Sequence, residues 1–342
     1  MKKLLILMMA MVLAGGFVFA GGQQEAKGAD EPLKLVLLVK SLGNGFFEAY
    51  ADGGKEAAKE LGNVESIYMG PSTSTAEGQI EIIETLIAQR VDGIAISAND
   101  RDALIPVAKK AMKAGIKVIS FDSGISLGGR TVDLVPSESE LIGRQQVQLI
   151  AELCNYKGEV GIVSATSQAT NQNLWIEWMF KEIEKPEYKN MKLVEVVYGD
   201  DAADKSYREA VGLMQKYPKL AGIISPTTIG VLASAKAIED EGKQGVVQLT
   251  GLGLPSEMQH YIENGTCVQM ALWNPIDLGY SSTFILEALV TGKVEGKPGD
   301  VIKAGRMGDI VIGEDGLSVM GAPFVFNKDN IAKFAAMFYE LF

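Results

Sequence analysis

Leu33-Lys34-Leu35-Val36-Leu37-Leu38-Val39 is mostly apolar and then breaks into Lys40-Ser41-Leu42-Gly43-Asn44-Gly45-Phe46-Phe47. A run of this length suits a strand buried on both faces. The glycine-bearing turn behind it hands the chain to a helix that starts near the two phenylalanines. One spot thereby receives a cation, a flexible turn and two adjacent aromatic rings, the makings of a small-molecule pocket.

Outward from this segment the alternation repeats. Apolar runs at residues 91–97, 117–121, 159–165, 193–198, 221–225, 246–250 and 267–273 are separated by helix-length amphipathic stretches. Ala76 to Gln89 is one, carrying Ile80, Ile82, Ile83, Leu86 and Ile87; Asp102 to Ala114 is another, closed by Gly115 as a C-terminal cap. The βαβα order predicts an α/β fold of parallel sheets in a doubly wound arrangement. Near Val135-Pro136-Ser137 a short apolar segment gives way to a helix beginning at Ser137 or Glu138, and the count of units restarts. Two similar halves are therefore expected.

Ahead of the first strand, Lys2 and Lys3, the apolar stretch Leu4 to Leu13, Gly15-Gly16 and the small-residue site Val18-Phe19-Ala20 read as a signal peptide over residues 1–20, cleaved after Ala20. The alternative is an uncleaved anchor, but the apolar stretch is short against the roughly 20 residues a span needs. A lipid anchor would need a cysteine at the cleavage point, and the first cysteine is Cys154. Residues 21–32 resemble a polar, flexible tether. About 320 residues then remain, enough for two domains of ~150 each.

A formal charge of −11 and a pI near 4.8 argue against nucleic acid as a partner, since phosphate binding draws on a basic surface. Cys154 and Cys267 are too few for a disulfide framework; a single bridge between them is left open.

In doubly wound sheets, ligands sit beyond the carboxyl ends of the strands. That rule selects Lys40 with Phe46 and Phe47, Asp122, Asn171 and Gln172 with Trp175, Pro226 to Thr228, Gly251 to Gly253, and Trp273-Asn274-Pro275. Each has a plainer reading: Lys40 as a solvated lysine, Asp122 as a turn residue, the tryptophans as core. Together they supply a cation, a carboxylate, amides, hydroxyls and flat apolar faces, which suits a polyhydroxylated ring.

Catalytic readings fare worse. The sole histidine, His260, falls in a helical stretch away from strand ends, and no Cys/His cluster has metal-ligand spacing. Gly124-Ile125-Ser126-Leu127-Gly128 matches the nucleophile-elbow string but is followed by Gly129-Arg130-Thr131-Val132 rather than a helix. Gly43 and Gly45 imitate a dinucleotide fingerprint, but Glu48 stands where the third glycine belongs. No enzyme activity, metal or cofactor is expected.

Lys40 to Phe47, Tyr68-Met69-Gly70-Pro71, Ala98-Asn99-Asp100, Phe121-Asp122-Ser123, residues 169–175, residues 224–227 and Leu272-Trp273-Asn274-Pro275 resemble the type I periplasmic sugar-binding proteins of ABC importers. Within that family the segments are most similar to rhamnose-binding proteins and the related autoinducer-2 receptors. The resemblance implies two Rossmann-like lobes joined by three crossovers, a solute held in the cleft, and closure by a hinge. Chain crossings are expected near Val135 to Ser137, near Met270 to Asn274, and once after Pro298. The first lobe would then comprise residues 33–136 plus about 271–298, the second residues 137–270 plus about 299–342.

Autoinducer-2 receptors carry a Lys in the first loop, an Asp in the third, an Asp-Gln pair before N-x-W and a Pro-x-Ala turn. Lys40, Asp122, Gln172 and Pro226 keep that pattern; Asn171 and Thr228 depart from it. Ribose-type binders carry an Asp where Gly251-Leu252-Gly253 lies and a Gln where Trp273 stands. The resemblance thus implies a neutral six-carbon deoxy sugar such as L-rhamnose. Lys40, Asp122, Asn171, Gln172 and Asn274 would address hydroxyls, Phe46, Phe47, Trp175 and Trp273 the ring, and Pro226 with Thr228 the cleft wall. A monomer in the periplasm that delivers sugar to a membrane permease is expected. A receptor reporting autoinducer-2 or sugar to a chemotaxis partner stays open as an alternative. A sugar-responsive transcription regulator would need a DNA-binding headpiece where the leader stands.

Overall fold

The computed structural model describes residues 31–339. The leader at 1–20 and the tether up to residue 30 lie outside the described residues.

The opening segment forms β1 (Leu33–Leu38), followed by α1 (Gly45–Leu61). Asn44 starts that helix by accepting the Phe46 N–H on its side chain. Gly62, at φ 76°, ends it by returning its N–H to the Ala58 carbonyl, a left-handed cap that glycine adopts without strain. Next come β2 (Val64–Met69), α2 (Ala76–Gln89), β3 (Gly93–Ile96), α3 (Ile105–Lys113), β4 (Lys117–Phe121) and β5 (Val132–Val135). β2 is a strand the apolar-run reading does not find. It is an edge strand, Val-Glu-Ser-Ile-Tyr-Met, only partly covered, so its hydrophobic signal is diluted.

The second half builds α4 (Ser139–Leu153), β6 (Gly158–Ser164), α5 (Thr170–Ile183), β7 (Met191–Tyr198), α6 (Ala203–Lys216), β8 (Leu220–Ser225), α7 (Thr228–Asp240), β9 (Gln248–Gly251), α8 (Pro255–Glu263) and β10 (Gln269–Leu272). β7-β6-β8-β9 form a parallel sheet, and a bridge from Leu252 to Ala271 brings β10 alongside β9. Cys154 and Cys267 are buried free thiols, donating to the carbonyls of Ala221 and Leu249.

From β10 the chain returns to the first lobe as α9 (Pro275–Val290), which packs along α1. The two backbones cross so closely that a Cβ added to Gly53 would lie 1.8 Å from the Ile276 carbonyl oxygen, and one on Gly279 1.8 Å from that of Tyr50. Only glycine fits there. A hairpin of β11 (Val301–Lys303) and β12 (Asp309–Val311) leans on α9, and β13 (Leu317–Val319) then pairs in parallel with β5. The first sheet is therefore β13-β5-β4-β3-β1-β2. Finally β14 (Phe324–Asn327) pairs antiparallel with β10, and α10 (Ile331–Tyr339) packs on α8.

The expected placement of residues 299–342 in the second lobe is corrected for 301–319, which join the first. β5 would otherwise leave an open edge, and Leu317–Val319 closes it, while Ile302 and Ala304 are buried on the same side. The passages between sheets fall at residues 135–139, 272–275 and 319–324. The two large sheets are parallel as expected; the β10–β14 and β11–β12 pairs are antiparallel.

Candidate functional site

The carboxyl ends of β1 and β4 in one lobe face those of β6, β7, β8 and β10 in the other. Between them lies a narrow cavity of about 40 Å³, largely filled by the side chains that line it. Lys40, Phe46, Phe47, Asp122, Asn171, Gln172, Trp175, Pro226, Thr228 and Trp273 line it.

Asn274 does not. Its side-chain oxygen accepts the Ile276 N–H at 3.0 Å and its amide donates to Asp277 at 2.8 Å, so it caps α9 ahead of Pro275. A residue that follows a strand end can be consumed by starting the next helix.

On the first lobe, Lys40 is only 4% exposed. Its backbone is fixed from beneath: Asn99 Nδ2 donates to the Lys40 carbonyl at 2.9 Å, the Asn99 N–H donates to Gln79 Oε1 at 2.9 Å, and Gln79 Nε2 donates to the carbonyls of Val39 and Ser97 at 3.0 and 2.8 Å. The fully buried Gln79 thus ties the ends of two neighbouring strands together. Asp122 sits at φ 55°, an uncommon backbone state for a residue with a side chain, in a three-residue turn closed by the Ser123 N–H to the Phe121 carbonyl at 2.5 Å. Such strain tends to collect at binding sites. The Asp122 carboxylate accepts from Ser97 Oγ at 2.9 Å and from Asn171 Nδ2 at 3.2 Å. Burial pushes its pKa up, and the Lys40 ammonium is the chief opposing influence.

Across the cleft, Lys40 Nζ donates to Asn171 Oδ1 at 2.9 Å, and Thr228 Oγ1 donates to Asn44 Oδ1 at 3.2 Å. With the Asn171 amide on Asp122, these contacts join the lobes at the centre. Gln172, in the first turn of α5, has its side-chain oxygen taken by Ser164 Oγ at 2.7 Å and the Ala165 N–H at 2.8 Å. Its amide nitrogen is the end left to donate. The aromatic walls meet edge to face: Phe46 to Trp273 at 6.2 Å, Trp175 to Trp273 at 5.8 Å. The Trp273 indole N–H is buried without a protein partner among the described residues, an unspent donor on a residue that lines the cavity.

Sequence reasoning missed Asn44 and Asp201, which also line the cavity, as does Thr227 of the Pro226 to Thr228 turn. Asn44 carried a readable signal as a helix cap beside two aromatics; Asp201, in an acidic turn after β7, carried none. His260 is exposed on α8 and lies outside the cavity lining. Ser126 sits in an exposed loop, where its hydroxyl donates to Asp102 at 2.6 Å. The cavity groups are therefore hydrogen-bonding and ring-covering rather than a nucleophile with its base.

Residues 35–294 match the model of the periplasmic binding protein domain. A solved ABC transporter solute-binding protein from Clostridium phytofermentas with bound L-rhamnose is 35% identical, with 90% of this chain and 99% of that one aligned at a TM-score of 0.85. A sugar ABC transporter protein from Actinomyces odontolyticus is 38% identical, over 88% of this chain and 97% of that one, at a TM-score of 0.71. The D-ribose/D-allose-binding protein of Pseudomonas aeruginosa is 27% identical across 70% of this chain and 77% of its own length. A two-lobed α/β frame, strand ends gathered around one polar, aromatic-walled cavity, and a family match spanning most of both lobes together show that this chain belongs to the periplasmic binding proteins.

Proposed function

We propose that the protein is the extracytoplasmic solute-binding component of an ABC importer and that it captures a neutral sugar, L-rhamnose or a similar deoxyhexose, between its lobes. The observation that carries this reading is the interlobe cavity. Its polar groups come from both halves of the chain, and large aromatic faces cover the rest. Lys40, Asp122 and Asn171 already bond to one another there, so a guest's hydroxyls can exchange with those contacts without leaving a buried charge unpaired. Phe46, Trp175 and Trp273 offer surface for the C–H faces and an exocyclic methyl. The rhamnose-bound relative at 35% identity supports the same class of guest.

A guest touching both lobes stabilises the closed arrangement because its contacts exist only there. The three interlobe passages are the places where such a hinge would bend. A leader at residues 1–20 would deliver the protein to the compartment where a permease can receive the sugar.

A thermal-shift screen with L-rhamnose, L-fucose, D-ribose, D-galactose and autoinducer-2, followed by calorimetry, tests this. Stabilisation by a deoxyhexose above the others is the expected result. A response to autoinducer-2 alone would replace the sugar assignment with a signalling one.

A further inference from the structure

Asp201 follows β7 in the turn Gly199-Asp200-Asp201-Ala202, where both aspartates hold left-handed backbone angles, φ 55° and 51°. The turn is clamped by backbone bonds from Gly199 to Ser164 at 2.8 Å, from Asp200 to Ala165 at 3.0 Å and from Ala202 to Gly199 at 2.9 Å. Two successive left-handed residues send the neighbouring carboxylates different ways. Asp200 reaches out to Lys205 at 2.5 Å, an exposed pair. Asp201 stands in the wall between the cavity and the neighbouring groove, and Thr227 Oγ1 donates to its Oδ1 at 2.5 Å. Its Oδ2 has no protein donor among the described residues.

Three charged side chains line the site. Lys40 supplies one positive charge, Asp122 and Asp201 two negative ones, and the two carboxylates feel both Lys40 and burial. One negative charge is left over at the site. Such a site rewards a guest that brings hydrogen-bond donors. It penalises a guest that brings another anion.

Resting on the sugar-binding reading above, we propose that Asp201 is a second hydroxyl-reading carboxylate of the site and the residue that excludes acidic sugars. Its free Oδ2 accepts a hydroxyl of the guest. The excess charge sets uronic acids and phosphorylated sugars apart from neutral ones of the same shape.

Calorimetry with L-rhamnose and with D-galacturonate tests this on the wild type, Asp201→Asn and Thr227→Val. Asp201→Asn keeps an acceptor for Thr227 while removing the charge, so the turn should stay folded, as thermal melting will show. The expected result is a loss of about ten-fold or more in rhamnose affinity, the scale of a hydrogen bond to a charged group, together with a collapse of the preference for the neutral sugar. Thr227→Val should weaken rhamnose by about three-fold and leave galacturonate excluded, because the charge remains. If Asp201→Asn binds rhamnose as the wild type does and still rejects galacturonate, Asp201 is a turn residue only and the inference falls while the sugar reading stands. If the wild type binds no neutral sugar in the panel, the sugar reading fails first and this inference falls with it. Should Asp201→Asn not fold, a Thr227→Val variant that admits galacturonate would overturn the proposal, and one that excludes it would support it.

Discussion

The two lobes meet in two quite different ways. At the centre of the cleft, Lys40 reaches Asn171 and Thr228 reaches Asn44, so polar groups from each side satisfy one another. At the rim, Glu257 at the start of α8 lies directly over Gly45 at the start of α1, so close that a Cβ on that glycine would stand 2.5 Å from its Oε1. Nothing offsets the burial of this carboxylate, and its pKa is pushed up to about 7. Lys236, Asp200, Asp201 and Asp204 line the same groove as Glu257, yet burial alone accounts for the shift. The central contacts are exchangeable for a guest's hydroxyls, whereas the rim contact opposes closure by an amount that depends on pH.

The largest effect should come from breaking the centre. Asp122→Ala removes a buried acceptor, leaves Lys40 with less compensation, and should lower sugar affinity by about 30-fold or more; circular dichroism should show the fold retained. Near-normal calorimetric affinity in that variant would remove Asp122 from the site.

Next is the rim itself. Gly45→Val places a branched side chain where Glu257 and Leu254 now sit, and it should weaken binding by about ten-fold, on the scale of an overpacked contact. Small-angle scattering should then show less compaction on adding sugar than in the wild type. Equal compaction in both would mean that the rim does not close.

A smaller effect distinguishes charge from shape. A carboxyl whose folded pKa is raised above its ordinary value of 4.5 carries no penalty while protonated and its full penalty once ionised. Closure is therefore favoured at low pH, and the advantage is lost as pH climbs through about 7. Sugar affinity should fall by about five-fold between roughly pH 6 and pH 8, and Glu257→Gln should flatten that slope. A slope unchanged by the substitution would assign it to another group, Asp122 and Asp201 being the carboxylates that line the centre.

The smallest expected change in binding is at Asn274. Asn274→Ala removes the cap of α9 and should cost about 1 kcal/mol of stability while leaving affinity within error. A marked loss of affinity would return Asn274 to the site.

The strand ends from which the cavity is built were legible because buried parallel strands write themselves as apolar runs. Lys117–Phe121 is found at its observed bounds, and Lys40, Asp122 and Gln172 follow from where such runs stop. The Asn274 side chain is spent on a helix cap, and the signal for that was present: an asparagine directly before a proline is a helix start as readily as a ligand contact. Asp201 was hidden for a better reason. Two adjacent aspartates before a helix look like a solvated turn, and only the left-handed backbone at both positions turns one inward.

Periodicity and apolar content are local properties, and by themselves they determined the alternation of strand and helix, the break at Val135-Pro136-Ser137 and the gathering of polar residues beyond the strand ends. Tertiary structure alone decided that residues 301–319 close the first sheet, that α9 lies against α1 through Gly53 and Gly279, and that Glu257 rests on Gly45. Each of those depends on which edge or face is left uncovered after the rest has packed, and residues far apart in sequence carry no local record of that.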